Sequence, residues 1–216
     1  MFRKVTLLGA VALGLWGGAA SAQEAPLKRF YLHAGPGGVI LNEGAVLSAG
    51  GAVIPGATVT ANDSVTPVVE IGYFLNRNFA VSFTGGYPPT ATVQAAGTLA
   101  GAGTVGKAVY GPMALTAHYH LTNFGRVRPY IGGGVVFMYV FSTTDGLLTN
   151  LKVHNHFGYT GQAGVDVDLS NRWGAFFDVK AAHLHTTSTG NLGPTLITGD
   201  VKMDPTVIHG GVSYRF

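Results

Sequence analysis

The feature that most limits the fold is an alternation of oily and polar residues that runs to the last position of the chain. Ile208, Gly210, Val212, Tyr214 and Phe216 form one register, and His209, Gly211, Ser213 and Arg215 form the other. Successive side chains of a β-strand point to opposite faces, so such a segment has one apolar and one polar face. The same period of two recurs seven times upstream, over residues 30–35, 65–73, 79–87, 113–121, 127–137, 157–168 and 175–182. Eight strands are therefore predicted. No later segment suits a membrane-spanning helix, which needs about 20 apolar residues. The longest apolar run, Ile131 to Phe141, has eleven residues and includes three glycines.

Composition narrows the setting of these strands. Charged residues are 11% of the chain, against roughly 25% in an ordinary soluble domain. Hydrophobic residues are 47% and glycines number 33. The chain is too apolar for intrinsic disorder and too poor in charge for a water-facing globule. The absence of Cys excludes a disulfide framework, a thiolate nucleophile and Cys-ligated metal. Arg3 and Lys4, the apolar stretch from Val5 to Gly18 and Ala20-Ser21-Ala22 read as a secretory leader over residues 1–22. The alternative, an N-terminal membrane anchor, is disfavoured because the apolar stretch is short. Residues 23–216 are then the working domain. Without Arg3 and Lys4, 11 of the 13 basic residues remain against 10 acidic ones. That balance excludes nucleic acid as a partner, because phosphate binding needs a cationic footprint.

Strands with one oily face fit either a β-sandwich or a membrane barrel. The connections favour the barrel. Asn76-Arg77-Asn78, Thr122 to Gly125 and Ser170-Asn171-Arg172 are tight turns. They alternate with longer loops expected over about residues 41–63, 93–104, 142–153 and 186–200, the pattern of periplasmic turns and extracellular loops. Two aromatic bands are also expected. Tyr73, Phe79, Tyr119, Trp173, Tyr214 and Phe216 lie near the short turns, and Tyr87, Phe137, Tyr139, Phe157 and Tyr159 toward the loops. Trp and Tyr gather at membrane interfaces. The expected fold is an all-β, eight-stranded antiparallel transmembrane barrel. Its oily register faces lipid. Its polar register holds Arg29, His33, Glu70, His118, His120, Arg128, Asp166, Asp168, Asp178, Lys180, His209 and Arg215, read as a structural network filling the lumen.

Several strings carry a family resemblance. They are Asn62-Asp63-Ser64-Val65-Thr66-Pro67 followed by Gly72-Tyr73, Arg128-Pro129-Tyr130-Ile131-Gly132-Gly133-Gly134, and Gly161-Gln162-Ala163-Gly164-Val165-Asp166. Asn171-Arg172-Trp173 and Val201-Lys202-Met203-Asp204-Pro205 continue the set, which closes on Gly211-Val212-Ser213-Tyr214-Arg215-Phe216. Together these resemble the OmpW family of Gram-negative outer-membrane proteins over nearly the whole working domain. The resemblance implies passive uptake of small, often hydrophobic molecules, as in the family's alkane-uptake members. It also suggests that Tyr214 and Phe216 help the outer-membrane assembly machinery recognise the last strand. Residues 41–61 and 95–106 depart from the family pattern.

The remaining motifs are weak. Gly101-Ala102-Gly103-Thr104-Val105-Gly106 matches GxGxxG, but it lacks the following helix that a dinucleotide site needs. His118/His120, His154/His156 and His183/His185 each share a strand face, because residues two apart do so. The last four, His154, His156, His183 and His185, are a weak candidate for a metal site at the extracellular rim. No Ser-His-Asp or paired-carboxylate constellation stands out, and neither enzymatic activity nor a cofactor is expected. Outer-membrane lipid is the expected surrounding. An eight-stranded barrel has room inside for little beyond its own side chains, so a greasy solute is expected to leave sideways through the wall. Proline cannot donate to the ladder and marks edges or bulges. Pro88, Pro89, Thr90, Gly111 and Pro112 are therefore the expected lateral portal. The alternative function is a structural or adhesion barrel without transport.

Overall fold

A computed structural model describes residues 28–216; the leader expected over residues 1–22 lies outside them. Twelve strands follow one another: β1 (Phe30–Ala49), β2 (Ala52–Val53), β3 (Ala57–Ala61), β4 (Ser64–Phe74), β5 (Phe79–Gly86) and β6 (Thr90–Gly97). Then come β7 (Thr104–His120), β8 (Val127–Asp145), β9 (Thr149–Val153), β10 (His156–Asp168), β11 (Trp173–Leu192) and β12 (Thr195–Arg215). Eight of them close a ring by antiparallel pairing, in the order β1-β4-β5-β7-β8-β10-β11-β12 and back to β1. Closure leaves the ring without an edge. In hydrocarbon this matters, because no water is present to satisfy an unpaired backbone group. The chain ends join the same ladder, through Phe30 N–H to Phe216 O at 3.3 Å and Phe216 N–H to Phe30 O at 3.1 Å.

Local chemistry sets the periplasmic turns. Asn76 Oδ1 accepts the backbone N–H of Asn78 at 2.9 Å and of Phe79 at 2.8 Å. Its short side chain thereby mimics a turn of backbone. Ser170 Oγ accepts from Trp173 N–H at 3.0 Å in the same manner. Gly125, with φ of 66°, turns the chain between β7 and β8 where a side chain would be strained.

The outer face is oily and banded. Val65 is 78% exposed and Ile131 67%, values that only a lipid solvent makes favourable over a whole belt. The lower band joins Phe30 with Tyr73 (4.9 Å between ring centroids), Phe79 with Tyr119 (5.0 Å) and Trp173 with Tyr214 (4.6 Å). The upper band includes Phe137 with Phe157 (4.5 Å) and Tyr139 with Phe141 (4.8 Å).

The long segments differ from the loops expected of them. A tilted membrane strand needs roughly 9–11 residues, yet β1, β7, β8, β11 and β12 run to between 17 and 21. They continue the barrel above the membrane. β2 pairs with β1, β3 with β6, β6 with β7, and β9 with β11. The physical reason is a reversal of polarity. Above the membrane the wall faces water, so its inner face is the oily one. Leu47, Ala57 and Val59 bury there as one cluster, and Leu148, Leu151 and Ile197 as another.

Candidate functional site

The inside of the barrel is built in two storeys. The lower storey is polar and filled. Glu70 on β4 accepts from Tyr31 Oη (3.1 Å), Thr84 Oγ1 (2.8 Å) and Gln162 Nε2 (3.3 Å). Its other neighbours are Lys180 Nζ at 3.0 Å and His33 Nδ1 at 3.5 Å. Lys180 also donates to Asp178 at 2.8 Å, and Asp178 accepts from Tyr130 Oη at 3.0 Å. Asp166 lies 2.9 Å from His33 Nε2 and 2.9 Å from Arg215. Thr116 Oγ1 and Ser82 Oγ hold His118 Nε2 at 2.7 and 3.1 Å. His120 and His209 complete the buried set, packed against Phe74 and Phe176 respectively.

Two close approaches make this packing possible. The Tyr31 ring lies across Gly72, and the Tyr130 ring lies across Gly164, where a Cβ would collide with each ring. Glycine is required there so that each phenol can reach a carboxylate on or beyond the neighbouring strand. His33, Glu70 and Asp178 bring ligand atoms within 4.8 Å of one another. The Lys180 ammonium already sits on Glu70 and Asp178, in the place a cation would take.

The expected lumen residues mostly gather here. His33, Glu70, His118, His120, Asp166, Asp178, Lys180, His209 and Arg215 are buried. Arg128 and Asp168 pair at 2.7 Å nearer the periplasmic mouth, where Asp168 also meets Arg215 at 2.9 Å. Arg29 is a correction. It is exposed and turns out of the lumen, its guanidinium 5.9 Å from the Tyr73 ring centroid and 3.3 Å from Leu75 O. Arg29 precedes the first ladder residue, so nothing confines its long side chain to the interior. The mouth below is a basic cavity, with Lys28, Arg77, Arg126, Arg128, Arg172 and Arg215 around Asp168.

The upper storey is apolar. A cavity of about 400 Å³ opens there, lined among others by Leu47, Val59, Val93, Leu99, Leu151 and Ile197. Its volume lies within the roughly 300–1,000 Å³ of small-molecule sites. Beneath it a buried layer of Val39, Leu41, Ala91, Tyr110, Ala114, Val136, Met138 and Leu184 separates it from the polar storey. A second cavity of about 60 Å³ adjoins that layer and reaches the wall at Gly85, Gly86, Tyr87, Pro89, Gly111 and Pro112. Lys180, Thr66, Thr84 and Thr160 also line it, from the polar storey.

The ladder along this side of β7 is interrupted at that point. Pairing of β5 with β7 ends at Thr84 and Ala114, and pairing of β6 with β7 begins at Thr90 and Val109. Between them, one backbone bond from Tyr110 N–H to Pro89 O spans the gap at 3.1 Å. Pro89, Gly111 and Pro112 line the small cavity, Pro88 stands over Gly111, and Thr90 is exposed at the start of β6. Sequence reasoning does not find the apolar cavity, because most of its lining lies in segments that read as loops. A signal was present: Tyr31, His33, Val39, Leu41, Leu47 and Ala49 keep one odd-numbered register along β1.

The rim histidines divide. His183 and His185 touch each other and face outward, beside Tyr159. His154 meets β11 through its backbone, donating to Thr187 O at 3.0 Å and accepting from Thr186 Oγ1 at 2.6 Å. His156 opens β10 opposite Met138.

A closed eight-strand ring, a lipid-facing belt between two aromatic bands and a sealed lower lumen define an integral outer-membrane β-barrel. The chain belongs to the OmpW family, whose model matches residues 28–216. It is 34% identical over 170 residues to outer membrane protein AlkL of Ectopseudomonas oleovorans, covering 79% of this chain and 74% of that one. It is 32% identical over 163 residues to the dibenzothiophene metabolism operon protein PahQ of Pseudomonas aeruginosa, covering 76% and 77%. The solid-state NMR structure of AlkL in lipid bilayers superposes with a TM-score of 0.70 at 30% identity, over 93% of this chain and 97% of that one. The crystal structure of OprG from Pseudomonas aeruginosa shares the fold, with a TM-score of 0.81 at 21% identity over 87% and 95%.

Proposed function

We propose that this barrel is a passive conduit for small hydrophobic molecules, which enter the apolar upper cavity and leave sideways through the wall into the outer leaflet. The observation that carries this reading is the placement of one buried apolar layer between two openings. Ala91, Tyr110 and Met138 of that layer line the upper cavity, while Val39, Ala114 and Val136 line the small cavity at the wall. An oily solute would find apolar surface from the cavity to the gap. Straight down it would meet a desolvated ion network, and displacing partners there leaves buried charges unpaired, which is costly. The name of PahQ ties a relative to dibenzothiophene, a compact aromatic of this polarity class. The lumen carboxylates Glu70 and Asp178 are held by cations and phenols rather than turned to a substrate, which fits a conduit better than an enzyme.

The test is uptake in cells and in proteoliposomes, comparing dibenzothiophene with a hydrophilic solute of similar size. The wild type should pass the first and not the second. Ala114→Phe fills the small cavity, and Pro89→Val with Pro112→Val restores two ladder donors. Either change should slow uptake of the hydrophobic solute while heat-modifiable folding persists. Unchanged uptake by both well-folded variants would rule the portal out. A folded wild type that passes neither solute would leave a structural or adhesion barrel as the better account. Export is proposed to follow leader cleavage after Ala22, so N-terminal sequencing of the outer-membrane form should begin at Gln23.

A further inference from the structure

We infer that His183 and His185 form a chelating pair for one divalent transition-metal ion on the outside of the barrel, with Asp204 as the positioning residue. The two side chains sit two residues apart on β11, so both leave the same face of the strand. Their Nε2 atoms converge to 3.0 Å. Two imidazole ligands at about 2.0–2.1 Å from one metal lie roughly 2.9 Å apart at a right angle and about 3.4 Å apart at a tetrahedral one. The observed spacing is therefore the bite of a bidentate site, and a metal ion would replace the single proton the two nitrogens otherwise share.

The surroundings favour one nitrogen of His183 as the ligand. Asp204 on β12 lies 2.7 Å from His183 Nδ1 and is itself held by Lys202 Nζ at 3.1 Å. A carboxylate beside Nδ1 favours the tautomer protonated there, which leaves Nε2 free to take a metal, the arrangement found behind metal-bound histidines. The Tyr159 ring lies 5.1 Å from the His183 ring and limits its rotation. His185 is exposed and His183 and Asp204 are about a third exposed, so the pair is reached from outside the barrel at the height of the upper aromatic band. Two imidazoles with a carboxylate behind suit Cu(II), Ni(II) and Zn(II), with Cu(II) bound most tightly. Water would complete the coordination. The pair stands on the outer face, so it is separate from the apolar path through the interior.

The experiment uses the untagged full barrel in phosphatidylcholine nanodiscs, titrated with Cu(II) and, separately, Ni(II). One equivalent of Cu(II) should bind with two-imidazole nitrogen hyperfine structure in its paramagnetic resonance spectrum. His183→Ala and His185→Ala should each weaken binding tenfold or more and reduce that pattern to at most one nitrogen. Asp204→Asn should weaken it by about tenfold and move the His183 proton from Nδ1 in its ¹⁵N spectrum, while Asp204→Glu restores both. His154→Ala with His156→Ala should leave binding unchanged. All these side chains lie on the outer surface or at the rim, so the variants should keep the heat-modifiable fold. Wild-type binding no tighter than that of His183→Ala/His185→Ala, or binding lost only with His154 and His156, would overturn the assignment.

Discussion

At the residue scale, depth decides what a charge costs. Leu115 is 57% exposed and lies midway between the two aromatic bands on β7, paired with Val135 and Phe83. Leu121 lies just below Tyr119, outside the lower band. Arg at the midplane of a barrel's lipid face costs about 2–4 kcal/mol, and near the interface about 0–1 kcal/mol. Leu115→Arg should therefore lose on the order of 2–4 kcal/mol in urea unfolding from bilayers, and Leu121→Arg much less. Equal losses would mean that the bands do not mark the interfaces. Inside, the same substitution logic runs in reverse. Lys180→Met removes the cation shared by Glu70 and Asp178 and leaves two buried carboxylates facing each other. Breaking a buried pair costs roughly 3–5 kcal/mol, so this variant should be among the least stable in the same assay.

At the element scale, β12 has two tasks. It closes the ring against β1 and β11, and it carries Tyr214 and leads into Phe216, the last aromatic pair of the lower band, whose rings lie 5.5 Å apart. Phe216 also exchanges two backbone bonds with Phe30. Deleting Phe216 removes the closing bonds together with the proposed signal for the assembly machinery. The amount of heat-modifiable barrel in outer membranes should fall. A Phe216→Ala variant separates the two causes, because it keeps the backbone bonds and loses the ring. Normal assembly of Phe216→Ala with failure of the deletion would assign the role to the backbone alone.

At the scale of the whole molecule, polarity changes along the barrel axis, from an apolar cavity above to a filled polar lumen below. The lower storey is sealed by bonded side chains, from Tyr31 and Glu70 across Gln162 to Asp178. Planar-bilayer recordings should show no steady axial conductance from the wild type. Filling the upper cavity with Ala108→Phe should slow hydrophobic uptake without altering that silence, since Ala108 lines the cavity and not the plug. An open axial channel in the wild type would overturn both the filled lower lumen and the proposed sideways route.

How much of this was legible in sequence follows from what each pattern encodes. Period-two alternation reports which side of a strand meets lipid, so Val65, Ile131, Val212 and their registers disclose the membrane belt and the strand count, while the family is carried by particular strings such as Arg128-Pro129-Tyr130. The charged residues of the opposite register disclosed the lumen network, apart from Arg29, where the barrel ends and the side chain escapes. Above the membrane both faces change solvent, and Gly, Ala and Thr weaken the contrast between them. Residues 41–63 and 186–200 thus read as loops although they extend the wall. The apolar cavity and the gap between Thr84 and Thr90 depend on register across strands distant in the chain, and the meeting of His183 with Asp204 on the register of the β11–β12 hairpin. A local pattern carries no information on that register. Closure of the sheet supplies it, because the ring fixes which residue of β1 stands against which of β12.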